Sequence, residues 1–281
     1  MMNSDTLKHV GTQLNDVFNA IVDNSYDKLK REENLLKTGF NTFDIMIKGL
    51  KKDEIMLVFG KPAMGKTSFL LQCIDNISVK NKKTVLLFSP ENSEYYTLSR
   101  LLAMNCGISY NKIVKNSYLV EDWLNLNASC GHLSNTEFYI DCSSYIPMSS
   151  LTERIANYID KNNPDVILID SLDYIGYSET AAQKIKMLKK IACAFKVPII
   201  CTCKIPHTLK KTSKNAYMRK AGEYADIVVE IWRDLYKDNG RSKETYFLIK
   251  KNSKGSTGEI IMIFDLDRLI FKEQYEQETV L

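Results

Sequence analysis

"GKPAMGKTS", residues 60–68, follows the apolar run 55–59 without a break. A buried strand that enters a glycine-rich turn and then a helix aims backbone N–H groups and a helix N-terminus at one point, which suits a polyphosphate. Gly60, Gly65, Lys66 and Thr67 fill the positions of the full phosphate-loop pattern. The glycines permit a tight turn and close backbone approach, Lys66 reaches β and γ oxygens, and the Thr67 hydroxyl can ligate Mg²⁺. An amphipathic stretch follows (Phe69, Leu70, Leu71, Cys73, Ile74), as a helix requires. The run Gly60, Lys61, Pro62, Ala63, Met64, Gly65, Lys66, Thr67 and Ser68 is therefore read as the wall of a nucleotide site.

The rest of the chain surrounds this loop with alternating strands and helices. Apolar strand runs fall at 85–88, 138–140 and 166–169, and a helix through "AQKIKMLKKIACAF" feeds the run at 197–203. Helices are also expected from the loop to about residue 80, through 98–104, near Trp123, and over 150–161, the last capped by Ser149 or Ser150 with Glu153 three further on. Strands that are apolar throughout imply a mostly parallel sheet covered on both faces, an α/β fold. Stretches 227–232, 245–250 and 259–264, separated by glycine-containing turns, read as an antiparallel extension. Before the sheet, residues 6–33 carry Leu14, Val17, Phe18, Ile21 and Val22 at helical spacing. That helical arm needs a partner surface, on the body of the protein or on a neighbouring subunit.

Composition narrows the class. A chain of 281 residues supports a sizeable core. Seven cysteines without a CxxC pair and three scattered histidines argue against a disulfide framework or a zinc site. Cys201 and Cys203 read as small core residues of a strand. No apolar run reaches the length of a membrane span and the N-terminus is not a secretion signal, so a cytoplasmic protein is expected. The net charge of +4 is too weak to imply a nucleic-acid partner by itself.

Two carboxylates stand out. Asp170 ends a buried strand, where it would hold the Mg²⁺ shell beside the phosphate loop. The next residue is Ser171, so no glutamate adjoins that acid. Glu91, after the strand 85–88, is the carboxylate available to activate water; its alternative is a favourable charge in the first turn of a helix beginning near Ser89 or Asn92.

The ordered set "TGFNTFDIMIKGL", "GKPAMGKTS", "LLFSPENSEYYTLSRLLA", "FYIDCSS", "VILIDSLDYI", "LKKIACAFKVPIICTCKI", "EYADIVVEIWRDLY" and "KKNSKGSTGEI" resembles the C-terminal motor domain of DnaB-type replicative helicases, from about residue 38 to 271. The resemblance implies a RecA-like ATPase domain over 38–281 and a linker-type helical arm over 1–37 that docks on an adjacent subunit. It implies ATP and Mg²⁺ as ligands, a hexameric ring, single-stranded DNA in its channel, and other replication proteins as further partners. A short form without the family's N-terminal primase-meeting domain is expected. Departures accompany the likeness. The family's γ-phosphate-sensing glutamine corresponds to Lys204. The lysine and arginine that reach into a neighbour's site correspond to Lys251 and to Ser253, with Lys254 next to it. These departures also motivate a second reading, a DnaB-derived ATPase switch or accessory subunit with weak turnover. Of the two loops that meet DNA in the family, "GYSETAAQ" and "PHTLKKTSKNAYMRK" are short here. The second carries Lys210, Lys211, Lys214, Arg219 and Lys220 with no intervening acid, a phosphate-tracking pattern or a solvated loop. Arg233 and Asp234 are an exposed pair or, as the resemblance suggests, a nucleotide or neighbour contact. Trp123 and Trp232 read as core or interface aromatics.

Overall fold

The computed structural model describes residues 35–206, 211–234 and 243–273; the helical arm lies outside them. Strand β1 (Ile55–Gly60) is buried at every residue, as are β2 (Val85–Phe88) and β4 (Val166–Ile169). Such strands leave no face for water, and the chain covers both. With β3 (Phe138–Asp141), β5 (Ile199–Lys204), β6 (Ile227–Trp232), β7 (Glu244–Asn252), β8 (Gly258–Asp265) and β9 (Ile270–Glu273), they form one sheet ordered β3-β2-β4-β5-β1-β6-β7-β8-β9. The ladders from β3 to β6 are parallel, and those from β6 to β9 antiparallel.

Two expectations for this end of the sheet are corrected. The 227–232 stretch is a parallel neighbour of β1, with Met56 opposite Ile227 and Phe59 opposite Glu230. A further antiparallel strand, β9, closes the sheet; its four residues are too few to show periodicity, and Gln72 holds Phe271 through both backbone groups at 2.8 Å.

Alternation along β1 divides the core. Met56 and Val58 face one cluster, and Ile55, Leu57 and Phe59 the other. Helices α1 (Asn41–Ile47) and α2 (Lys66–Ile74) cover the first face with the rings of Phe40, Phe43, Phe69, Phe247 and Phe271. The turn Asp75–Lys80 extends α2 as a wider π-helix. Helices α3 (Glu94–Cys106), α4 (Tyr110–Val114) and α5 (Val120–Ser134) share a small cluster of Ala103, Ile108, Ile113 and Leu126. On the other face lie α6 (Met148–Ile159), α7 (Ala181–Phe195) and α8 (Lys211–Ala221).

Helix boundaries differ from the sequence expectations for local reasons. α6 starts at Met148 behind Pro147, with no side-chain cap from Ser149 or Ser150, because Met148, Leu151 and Ile155 must all face the sheet. α3 starts at Glu94 behind Ser93, whose hydroxyl accepts the Tyr96 N–H at 3.2 Å. Glu91 thus stands ahead of the helix rather than in its first turn. α5 is a full helix of 15 residues, and Trp123 is half exposed on it, outside the core. Trp232 is likewise exposed. Cys201 and Cys203 are buried strand residues with free thiols, as the spacing suggested. Among the described residues, no helix is long and apolar enough to cross a membrane.

Candidate functional site

The phosphate loop leaves the carboxyl end of β1, and the carboxyl ends of β2, β4 and β5 open onto the same edge. This is where ligands sit in parallel α/β sheets. Ala63 and Gly65 both take the left-handed backbone, φ +63° and +96°. A Cβ on Gly65 would meet the Phe271 ring at 2.6 Å, so glycine is required twice over. Lys66 is buried and donates to the carbonyls of Gly60 and Lys61 at 2.8 and 3.0 Å. Burial pushes its ammonium below the ordinary lysine range, and the carboxylates of Asp170, Glu91 and Asp173 pull it only partly back.

Asp170 takes two short hydrogen bonds, from Thr67 Oγ1 to Oδ2 and from Thr202 Oγ1 to Oδ1, both 2.7 Å. Burial raises its pKa against the pull of the two threonines. Two hard oxygen donors, Thr67 and Asp170, therefore meet at the mouth of the loop, a pairing that suits Mg²⁺. Among the described residues no group of three or more His, Cys, Asp or Glu side chains could hold a metal. A divalent ion here would need water and phosphate oxygens to complete its shell, which is Mg²⁺ behaviour at nucleotide sites.

Glu91 and Lys204 form an ion pair, Oε1 to Nζ 2.6 Å. Lys204 also donates to the Tyr174 hydroxyl at 3.1 Å and lies over that ring at 4.6 Å. Burial alone would lower the Lys204 ammonium; its bonds to Glu91 and Tyr174 outweigh that and raise it.

A cleft of about 400 Å³ joins these groups, bordered by Lys66, Thr67, Glu91, Arg100, Lys204 and Arg233. Arg233 is buried at its edge, donates Nη2 to the Ala63 carbonyl at 3.0 Å, and lies 4.8 Å over the Phe264 ring. Its Nε and Nη1 have no partner among the described residues, so an anionic ligand would find unspent donors there. The reading of Arg233 as an exposed partner of Asp234 is corrected on this burial.

Sequence reasoning missed Arg100, Asn92 and Thr202. Arg100 is buried, bonded to Ser68 Oγ at 2.6 Å and to the Tyr96 hydroxyl at 3.1 Å. An arginine placed beside Thr97 and Leu101 on the inward face of α3 was the available signal. Asn92 reaches Asp170 only at 3.5 Å and had no signal.

Lys251 and Lys254 lie at the other end of the sheet. Lys251 pairs with Val228 near the start of β6 and donates to the carbonyls of Gly222 and Glu223 at 3.3 and 2.8 Å. Lys254 is ion-paired with Glu54, the residue before β1. The length of β1, six residues or roughly 17 Å, separates them from this chain's own phosphate loop. The structure does not bring them into the same site.

The basic segment is a helix where a loop was expected: Met218 and Ala221 of α8 are buried, and Tyr217 packs edge-on against Phe59 with ring centroids 6.0 Å apart. Lys214 is turned inward onto the buried carboxylate of Glu230, which Lys250 approaches at 3.8 Å, so Lys214 is corrected from a free cation to a structural one. Arg219 and Lys220 are exposed, Lys211 opens the helix, and Lys210 lies outside the described residues. Lys214→Ala is expected to cost about 3 kcal/mol by leaving Glu230 under-compensated. Lys220→Ala should stay within about 0.5 kcal/mol, both read from urea midpoints.

Known proteins resemble this chain along most of its length. The chain is 26% identical over 287 residues to the replicative DNA helicase DnaB of Geobacillus stearothermophilus, covering 94% of this chain and 63% of that one. It is 27% identical over 263 residues to the replicative DNA helicase DnaC of Bacillus subtilis, covering 85% and 58%. It thus spans about three fifths of the length of these curated relatives. A solved DnaB-like replicative helicase, described with its interactions with primase, superposes with a TM-score of 0.79 at 23% identity, over 91% of this chain and 66% of that one, and shares the fold. The family model for the DnaB-like helicase C-terminal domain matches residues 36–273, and the chain belongs to that family.

Proposed function

We propose that this chain is an ATP-driven motor that acts on single-stranded DNA from within a ring of copies, hexameric by the family likeness, with ATP held between subunits. The observation that supports it is the separation of the candidate residues into two sets at opposite ends of one sheet. Lys66, Thr67, Asp170 and Glu91 converge on one cleft, while Lys251 and Lys254 face away from it. Each set completes the other only when a second copy supplies it.

In this reading the backbone of residues 60–68 and the Lys66 ammonium hold the β- and γ-phosphates, and Arg233 offers its unpartnered donors to the same nucleotide. Thr67 and Asp170 would hold Mg²⁺, which would supply positive charge to offset that of the phosphates. Glu91 accepts the proton of the water that attacks the γ-phosphorus as the bond to the ADP oxygen breaks. Lys204 stands where the family's γ-phosphate sensor would be, ion-paired to Glu91. Lys251 and Lys254 of a neighbour approach the leaving phosphates in place of an arginine fork; lysine is a point charge and fills that role less well. The exposed Arg219 and Lys220 would meet the DNA phosphates.

The test is steady-state ATP hydrolysis across protein concentration, with and without single-stranded DNA. Specific activity should rise cooperatively with concentration and rise again with DNA, and DNA binding should weaken as salt increases. Turnover independent of both concentration and DNA would refute the motor.

A further inference from the structure

Lys204 is held from three sides. Its Nζ meets Glu91 at 2.6 Å and the Tyr174 hydroxyl at 3.1 Å, and its backbone N–H donates to Asp173 Oδ2 at 2.8 Å. Asp173 also accepts the Ser171 hydroxyl at 2.9 Å. Residues 172–174 form a single 3₁₀ turn after β4, so one lysine joins that turn to the carboxylate after β2. Both partners are mostly shielded, with side-chain exposures of 29% for Lys204 and 26% for Glu91. The carboxylate oxygen that Glu91 commits to the lysine is lost to a water.

We propose that Lys204 is a positioning residue that holds Glu91 back from the attacking water, and that displacement of the turn Leu172–Tyr174 releases it. The proposal rests on the reading of Glu91 as the base. The ammonium holds the carboxylate through a charge-assisted hydrogen bond, a firmer restraint than a neutral amide at the same place would supply. The loop after β4 thereby gains a direct mechanical hold on the hydrolytic step, through Tyr174 at the lysine head and Asp173 at its backbone.

Basal ATP turnover at saturating MgATP tests this in four single variants and one double variant of the full chain, with melting curves to verify folding. Lys204→Gln should raise kcat about two- to fivefold, the range expected for opening a partly exposed ion pair. Lys204→Arg restores the pair to Glu91, so its kcat should rise less than that of Lys204→Gln. Tyr174→Phe keeps the ring and removes only the hydroxyl, so it should raise kcat by less. It should add nothing in the Lys204→Gln background, where the restraint is already gone. A fall in kcat, or no change, in folded Lys204→Gln overturns the proposal and leaves Lys204 as a phosphate contact. If Lys204→Gln does not fold, Tyr174→Phe decides by the same sign. Glu91→Gln separates the two readings: retained turnover there refutes Glu91 as the base and the restraint with it, whereas lost turnover beside an unaccelerated Lys204→Gln refutes the restraint alone.

Discussion

Lys66→Ala is expected to abolish nucleotide-dependent stabilisation and to lower ATP turnover by at least roughly a hundredfold, the scale set by losing a fixed charge at a transferring phosphoryl group. Without nucleotide, the variant should melt no lower than the parent. Lys66 is buried, its ammonium donates to the carbonyls of Gly60 and Lys61, and burial depresses its pKa, so its charge opposes folding until phosphates arrive. The sign follows from proton linkage. Between the lowered folded pKa and the ordinary lysine value of 10.5, the unfolded chain binds more protons, so parental stability gains with rising pH relative to Lys66→Ala. Melting curves of parent and variant across alkaline pH, with and without MgATP, check both halves. A variant that melts lower without nucleotide, yet still gains from MgATP, would contradict the assignment.

Phe247→Ala should lower global stability by about 3–5 kcal/mol, with an unchanged denaturant slope. Its ring is fully buried at the centre of a cluster, with centroids 5.1 Å from Phe271, 5.5 Å from Phe69 and 6.1 Å from Phe43. Those three partners come from β9, α2 and α1, so one strand residue holds the C-terminal edge and both helices of that face together. The functional consequence runs through Phe271, which packs where a Cβ on Gly65 would fall. Loosening that ring slackens the floor of the phosphate loop. Nucleotide affinity of the variant should therefore fall even where most of it remains folded, as nucleotide titration at low temperature would show. Unaltered affinity would confine Phe247 to a purely structural role.

The phosphate loop was readable because its chemistry is local. Glycine at φ +96°, a lysine on the next residue and a buried strand before them are all encoded within a dozen positions. The parallel core was readable for the same reason, since β1, β2 and β4 are buried at every position. Asp170 and Glu91 were located by where their strands stop. β9 and α8 were not legible. The first is four residues long, and the second shows its buried residues only once Phe59 and the sheet are there to receive them.

Charge pairing was the least accessible to sequence. Lys214 stood in an acid-free run and yet meets Glu230, sixteen positions on in strand β6. Lys254 was read as reaching a neighbour, and within its own chain it is paired with Glu54, two hundred positions earlier. Lys204 read as a sensor and is bound to Glu91. Arg100 was passed over and turns its guanidinium onto Ser68 of the loop.

The chain's local order thus determined the phosphate-loop turn itself: its glycines, its buried lysine and the strand that leads into it. Which cations remain free to act there was settled by the fold. Backbone conformation answers to neighbours within a few residues, whereas an ammonium pairs with whichever carboxylate strand register and helix packing bring within about 4 Å.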